Sequence, residues 1–271
     1  MPELPEVETT KRGIAKYVEG HRIEAMTVRE RRFRRPVPEG LESLLIGQRI
    51  GTLSRRAKYL LLPVAEGHVL WHLGMSGSLR LSEPGAPLKK HDHIYVTLSS
   101  GWQLRYHDPR RFGSVDFLTG DPYTDSRLAS LGPEPLSTDF DASYLTARAA
   151  TRRVPVKAFI MDNAIVVGVG NIYATEALFQ AGIDPRTPAG QVSEAAYTLL
   201  IIAIKRVLAD AIAQGGTTLR DFVSGQGAPG YFAQQLNVYG RAGQPCLRCS
   251  TPLEHVIIGQ RASVYCPQCQ R

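Results

Sequence analysis

The chain has 271 residues, 43% hydrophobic and 21% charged, which is enough to fill two domains with apolar cores and excludes a disordered polyelectrolyte. Its longest apolar runs, 199–204 and 59–62, fall far short of a membrane span, and its first residues are acidic rather than an apolar leader; a membrane protein is excluded and a cytoplasmic one expected. The net charge of +7 points toward a polyanionic partner such as nucleic acid, because a basic excess raises both affinity and encounter rate.

The chain opens Met1-Pro2-Glu3-Leu4-Pro5-Glu6-Val7-Glu8. Removal of Met1 leaves Pro2 with a free secondary amine, followed closely by the carboxylates of Glu3, Glu6 and Glu8. A chain-terminal amine titrates near pH 8, against about 10.4 for lysine, so roughly a tenth is unprotonated at pH 7. Condensed with a sugar aldehyde carbon, a secondary amine gives a cationic iminium, an electron sink that acidifies the neighbouring C–H and favours elimination. The same residues also read as an ordinary chain start, with Glu6 and Glu8 in the first turn of a helix where acidic side chains suit the dipole. Val7, Ile14, Tyr17 and Val18 share one helical face, and Gly20 is placed to end it.

From there to about residue 120 the pattern is β-rich. Strands are expected over 22–28, 49–54, 59–64, 69–73, 78–81, 94–98, 103–106 and 114–118, with turn residues between them, which together read as a β-sandwich. Lys58, at the start of the third of these, reads either as a strand-edge charge or as a group that reaches a phosphate or moves a proton. Two segments, His72-Leu73-Gly74-Met75-Ser76-Gly77 and Asp108-Pro109-Arg110-Arg111-Phe112-Gly113, each set a large side chain beside glycine in a tight turn. Met75 and Phe112 read either as core residues of hairpin turns or as apolar wedges of the kind that minor-groove proteins insert between base steps.

Leu131-Gly132-Pro133-Glu134-Pro135 reads as a linker, after which the period turns helical over 139–150, 156–161, 172–181 and 193–213. Ser193 is the expected N-cap of the last, with Gly215-Gly216 as its stop. Gly168-Val169-Gly170-Asn171 leads straight into the third helix, so Asn171 reads as an N-cap or as a side-chain amide beside free backbone N–H groups that suit a phosphate. Residues 223–231, which contain Gly, Ser and Gln, are expected to be a mobile loop. All four cysteines lie in the last 26 residues, as Cys246-x2-Cys249 and Cys266-x2-Cys269 separated by sixteen residues. Two such knuckles supply four thiolates for one tetrahedral zinc ion, a closed and therefore structural site. With the shell closed, His255 reads as a hairpin residue rather than a ligand. Arg261 falls between the knuckles, where a hairpin tip projects, and reads either as a solvated charge or as a phosphate contact.

Pro2 to Glu8, Arg56-Ala57-Lys58-Tyr59, His72 to Gly77, His91-Asp92-His93, Asp108 to Gly113, Gly168 to Tyr173 and the cysteine pairs, in this order along the whole chain, resemble bacterial formamidopyrimidine-DNA glycosylase. The resemblance implies an α+β multidomain fold. An N-terminal catalytic β-sandwich with an N-terminal helix would span 1–130, a helical helix-two-turns-helix DNA-binding module with a lesion-recognition loop 131–235, and a four-cysteine zinc finger 236–271, with DNA in the cleft between the lobes. It implies a bifunctional glycosylase and AP lyase of base excision repair that removes oxidised purines, 8-oxoguanine opposite cytosine and formamidopyrimidines, from double-stranded DNA, as a monomer associated with the bacterial nucleoid. Carried over by residue, Pro2 is the nucleophile at C1′ and Glu3 the acid that assists base release and sugar opening. Lys58 is the proton donor for β-elimination and Arg261 for δ-elimination. His91, Arg110 and Arg152 contact DNA, Asn171 and Arg261 pinch phosphates at the lesion, and Met75, Arg110 and Phe112 fill the vacancy left by the flipped base, with Arg110 facing the orphaned cytosine. One structural zinc sits on Cys246, Cys249, Cys266 and Cys269. The segment 215–231 resembles the family's lid over the flipped purine. Arg152 departs from the relatives, which often carry lysine there; either cation holds a phosphate.

Two other readings share these features. An endonuclease VIII type would prefer oxidised pyrimidines, against which the Pro2-Glu3-Leu4-Pro5 start and the Met75, Arg110 and Phe112 set speak. A zinc-finger DNA-binding protein without catalysis would have no use for Pro2 and Glu3.

Overall fold

The computed structural model describes residues 2–83, 85–215 and 236–271, in two compact units. The first includes Met1–Ala129, and the second Ser130–Ala213 and Gln234–Arg271.

The first unit begins with helix α1 (Leu4–Val18), started by Glu3 as N-cap and by Pro5 inside the first turn. Glu3 and Glu6 form a reciprocal capping box in which the Glu6 carboxylate takes the Glu3 N–H at 2.8 Å. Val7, Ile14 and Val18 are buried on its inner face, as their spacing requires, and Gly20, at φ +77°, lies just past its end. Strands β1 (Ile23–Val28), β6 (Asp92–Leu98), β7 (Gln103–His107) and β5 (Ser78–Ser82) form one antiparallel sheet in the order β1-β6-β7-β5. Strands β2 (Ser54–Arg56), β3 (Tyr59–Val64), β4 (Gly67–His72) and β8 (Ser114–Leu118) form the other, in sequence order. Strict alternation along β6 buries Asp92, Ile94, Val96 and Leu98, so one face of its sheet meets the core. One cluster joins Val7, Ile14 and Val18 of α1 to Leu60, Trp71, Leu79, Ile94, Leu104, Tyr106 and Val115 of both sheets. This is the expected sandwich with an N-terminal helix.

Seven of the eight expected strands form at or near their expected places; the one over 49–54 does not. Its backbone divides its hydrogen bonds among different partners, Ile50 exchanging with Gly20 and His21 and Gly51 donating to Pro63, so no continuous ladder develops. The paired strand begins at Ser54. A helix absent from the expectation, α2 (Leu41–Leu45), buries Leu41 and Leu45 at i, i+4 spacing. α3 (Ser126–Ala129) closes the unit.

In the second unit, α4 (Ala142–Ala149) is capped by the Asp141 carboxylate, which accepts the Tyr144 N–H. α5 (Val156–Ile160) and α6 (Asn171–Ala181) follow, then the long α7 (Glu194–Ala213), whose Ala196 N–H bonds the Ser193 hydroxyl. α6 is apolar nearly all round and buried along Ile172–Phe179, because it packs on α7, α5 and the terminal hairpin. Residues 131–135 dock onto this unit: Gly132 donates to Asn163 O and Val167 to Pro133 O, and a Cβ on Gly132 would meet Ile165 O at 2.7 Å. The hairpin β9 (Glu254–Ile258) and β10 (Arg261–Tyr265) turns through Gly259 and Gln260, both at positive φ as a two-residue type I′ turn requires. Phe179 of α6 packs with Val238, Cys246, Leu253, Val264 and Cys266 into a small core under the hairpin. The buried Glu176 carboxylate anchors the chain entering it, accepting the backbone N–H groups of Asn237, Val238 and Tyr239 at 2.9 Å each. Residues 216–235, with the expected stop at Gly216 and nearly all of the expected lid, lie outside the described residues.

Candidate active site, nucleic-acid contacts and metal centre

Pro2 and Glu3 are buried where α1 begins, Glu3 with 1% of its surface exposed. Lys58 is half-buried in the two-residue turn between β2 and β3, one step before the strand start at which the sequence placed it; its neighbour Ala57 adopts φ +53°. One arginine ties these elements together. Arg55 binds the Glu8 carboxylate of α1 at 3.0 Å through Nε and the Ala57 carbonyl at 2.8 Å through a terminal nitrogen. Burial raises the Glu8 pKa, but hydrogen bonds from Lys11, Arg12 and Arg55 outweigh it and hold the carboxyl at about 2. The sequence offered Glu8 only as a first-turn acid that suits the helix dipole and did not single out Arg55, because such charges become a clamp only once their elements pack.

His72, at the end of β4, rests its ring 4.9 Å from that of Tyr59 and accepts the Gly74 N–H on Nδ1 at 3.1 Å. Burial, followed by the charges of Lys58 and Arg34, pushes its pKa down to about 4, so the ring is neutral at pH 7. The two glycine turns meet here. A Cβ on Gly74, which sits at φ +69°, would lie 2.4 Å from Gly113 N, so only glycine fits between them. Fully buried Asp108 bonds across both, its carboxylate accepting from the Ser76 hydroxyl (2.9 Å), Gly113 N (3.0 Å), the Tyr106 hydroxyl (3.2 Å) and Arg110 N (3.3 Å). Held this way, Met75 and Phe112 leave the core, 39% and 43% exposed, and line a cavity of about 360 Å³ with Arg34, His72 and Gly74. The Arg110 guanidinium stacks 4.7 Å above the Phe112 ring. His91 is half-buried, its ring 5.8 Å from both His93 and His107. It precedes buried Asp92, which bonds the His107 ring and the Lys89 N–H at 2.9 Å each and Arg80 at 3.1 Å. Sequence reasoning quoted Asp108 and Ser76 within these motifs but read neither their bond across the turns nor the part of Tyr106 in it.

In the second unit Asn171 is the first residue of α6, and Gly170, not Asn171, is the N-cap. The Asn171 amide is used elsewhere: Oδ1 accepts the Lys157 ammonium at 2.7 Å and Nδ2 donates to Ala262 O at 3.1 Å. Lys157, only 1% exposed, also bonds the Ser263 hydroxyl at 2.6 Å and Ala262 O at 3.2 Å. One buried ammonium thus fixes Asn171 beside the strand that starts with Arg261. Arg261 is exposed and lines a cavity of about 210 Å³ with Lys157, Met161, Asp162, Ile258 and Gly259. A lysine in the otherwise apolar run 156–160 was the available signal for this network. Exposed Arg152 lines a different cavity of about 330 Å³ together with Arg153 and Gln191.

The four cysteine sulfurs all lie within 4.8 Å of one another, with Cys249 to Cys266 at 3.5 Å and Cys246 to Cys269 at 4.0 Å. Zinc–sulfur bonds of about 2.3 Å require tetrahedron edges of about 3.8 Å, so the donor set fits zinc. The Arg248 and Cys269 N–H groups point at the Cys246 and Cys266 sulfurs, 3.4 Å away, and support the thiolate form. These residues hold one structural zinc ion.

Three family profiles match along the chain: the formamidopyrimidine-DNA glycosylase N-terminal domain over residues 1–115, its H2TH domain over 131–223, and the zinc finger found in FPG and IleRS over 243–271. The formamidopyrimidine-DNA glycosylase of Pseudomonas putida is 60% identical over 271 residues, the full length of both chains. The structure of a Lactococcus lactis FPG mutant with DNA containing Fapy-dG superposes with a TM-score of 0.93 at 33% identity over all of both chains. Another, of wild-type Lactococcus lactis Fpg with DNA containing an oxidised pyrimidine, gives 0.91 at 33% identity, again over all of both chains. The chain belongs to the formamidopyrimidine-DNA glycosylase family, DNA-repair enzymes that act on damaged bases.

Proposed function

We propose that the chain is a bifunctional DNA glycosylase and AP lyase that excises oxidised purines, 8-oxoguanine opposite cytosine and formamidopyrimidines, from double-stranded DNA. It works as a monomer, in the cytoplasm on the nucleoid. The supporting observation is the Glu8–Arg55–Ala57 clamp, which joins the helix that begins beside Pro2 and Glu3 to the turn that carries Lys58.

With Met1 removed, the Pro2 amine sits at the positive end of α1, which disfavours its ammonium form and enlarges the reactive fraction. The amine attacks C1′, the glycosidic bond breaks and the base leaves with a proton. Glu3 supplies the proton that opens the sugar, and the result is an iminium between Pro2 and C1′. A base takes the C2′ proton, whose bonding electrons break the C3′–O bond, with Lys58 as proton donor to the leaving oxygen; loss of the C4′ proton to a base then breaks the C5′–O bond, with Arg261 as donor. Flipping the damaged base costs a few kcal/mol, which Met75, Arg110 and Phe112 offset by filling the vacancy. His91, Arg110, Arg152, Asn171 and Arg261 hold the DNA backbone.

The test is borohydride trapping of N-terminally processed protein on 8-oxoguanine:cytosine and thymine glycol:adenine duplexes. Strong covalent adduct on the 8-oxoguanine duplex is expected. Trapping mainly on thymine glycol moves the preference to oxidised pyrimidines, and no adduct on either removes the iminium.

A further inference from the structure

The segment Arg29-Glu30-Arg31-Arg32-Phe33-Arg34-Arg35 carries five arginines in seven residues. Most of them are committed. Arg29 bonds the Asp92 and Lys89 carbonyls, Arg31 pairs with Glu42 at 2.5 Å, and Arg32 pairs with Glu30 at 2.7 Å. Arg35 reaches Asp116 at 3.9 Å. Arg34 differs: among the described residues its guanidinium has neither a carboxylate nor a carbonyl partner, and the residue is exposed.

Its backbone, by contrast, is fixed. The Arg34 N–H bonds the Arg111 carbonyl at 3.0 Å, which joins it to the turn carrying Arg110 and Phe112. The preceding Phe33 is buried, stacked 5.5 Å from Tyr106 and set edge-on 5.6 Å from His93. The guanidinium lines the same cavity as Met75, Phe112 and His72, and its charge is felt at His72 alongside that of Lys58. An uncompensated cation on a fixed backbone, beside two exposed apolar tips, matches what a polyanion needs: a charge already placed at the surface with no internal partner to give up.

We propose that Arg34 is a phosphate-binding residue that holds a backbone phosphodiester of the duplex beside Met75 and Phe112. The proposal rests on reading those two residues as the wedge, and it extends the contact set of that reading by one charge.

The test is the salt dependence of binding to a duplex carrying a tetrahydrofuran abasic analogue, which cannot be cleaved. Each phosphate contact contributes about 0.9 to the slope of log affinity against log salt. Arg34→Gln is expected to lower the slope by about one, Arg34→Lys to restore it, and Arg32→Gln, on the same segment but paired with Glu30, to leave it unchanged. A wild-type slope in Arg34→Gln overturns the proposal, as does an equal loss in Arg32→Gln, which would mean a diffuse field rather than a contact. Phe112→Ala serves as a separate arm. If that variant binds like wild type while Arg34→Gln loses its slope increment, the wedge reading fails and the phosphate contact stands.

Discussion

At the scale of single residues, the site rests on a few atoms that have no substitute. Pro2→Gly replaces a secondary amine with a primary one on a more mobile backbone, and lesion excision is expected to fall severely; normal cleavage kinetics on 8-oxoguanine DNA would show that Pro2 is not the required nucleophile. Gly74→Ala forces a Cβ to within 2.4 Å of Gly113 N at φ +69°, so the two turns must separate. A stability loss of at least about 2 kcal/mol is expected in urea titration, with a larger loss of lesion binding than of affinity for undamaged duplex. His72 sets a pH dependence. Its pKa falls from 6.5 in the unfolded chain to about 4 in the folded one, so between these values the unfolded chain binds the extra proton. Stability should therefore fall as pH drops from about 6.5 to about 4, by on the order of 3 kcal/mol. Stability curves of wild type and His72→Gln that run parallel through that window would refute the assignment.

At the scale of elements, the clamp between α1 and the β2–β3 hairpin makes its own prediction. Glu8 titrates near 2 when folded against 4.5 unfolded, so its contribution is complete above about 4.5 and is lost as pH falls toward 2. Arg55→Gln removes one of its three cationic partners and raises the folded pKa. Acid unfolding of that variant should begin at higher pH than in wild type, and iminium formation should slow as the Lys58 turn loosens against α1. An unchanged acid midpoint would mean that Lys11 and Arg12 suffice. The elements themselves were largely legible. Val7, Ile14 and Val18 announced the face of α1, and the apolar run 59–64 announced β3. Segment 49–54 was misread because β-branched Ile50 and Thr52, at i, i+2, suit a strand, while the backbone of Ile50 and Gly51 divides its bonds among different neighbours. α2 is one turn long and was hidden by the arginine-rich segment before it. Of the two readings of Asn171 only the N-cap one falls, since Gly170 caps the helix and the fold supplies the buried Lys157 that takes its amide oxygen.

At the scale of the whole molecule, the zinc site folds a hairpin whose own apolar core is small, comprising Phe179, Val238, Leu253, Val264 and the cysteines. Cys249→Ser is expected to reduce zinc content from one ion per chain to none or nearly none, with proteolysis within 236–271 and weaker DNA binding. Retained zinc, measured by elemental analysis, would contradict the four-thiolate assignment. The net charge of +7 acts at this scale too, raising affinity for any duplex, while the committed arginines show that charge count alone does not locate the contacts.

The sequence by itself determined whatever is local: four thiols in two knuckles, a proline after Met1, the change from a two-residue to a helical period past the 131–135 segment, and the place of Arg261 between the knuckles. Tertiary structure alone decided whether Met75 and Phe112 face the core or the solvent. That choice is made by the Asp108 carboxylate reaching Ser76, 32 positions away, and by the absence of a Cβ at Gly74. It likewise decided that Arg55 is a clamp, that Lys157 is a buried anchor, and that of five neighbouring arginines Arg34 is the one whose guanidinium has neither a carboxylate nor a carbonyl partner among the described residues. The physical reason is the same in each case. A charge or a hydrogen-bonding group acquires its energy from its partner and from the water excluded around the pair, and neither is known until distant segments have been packed together.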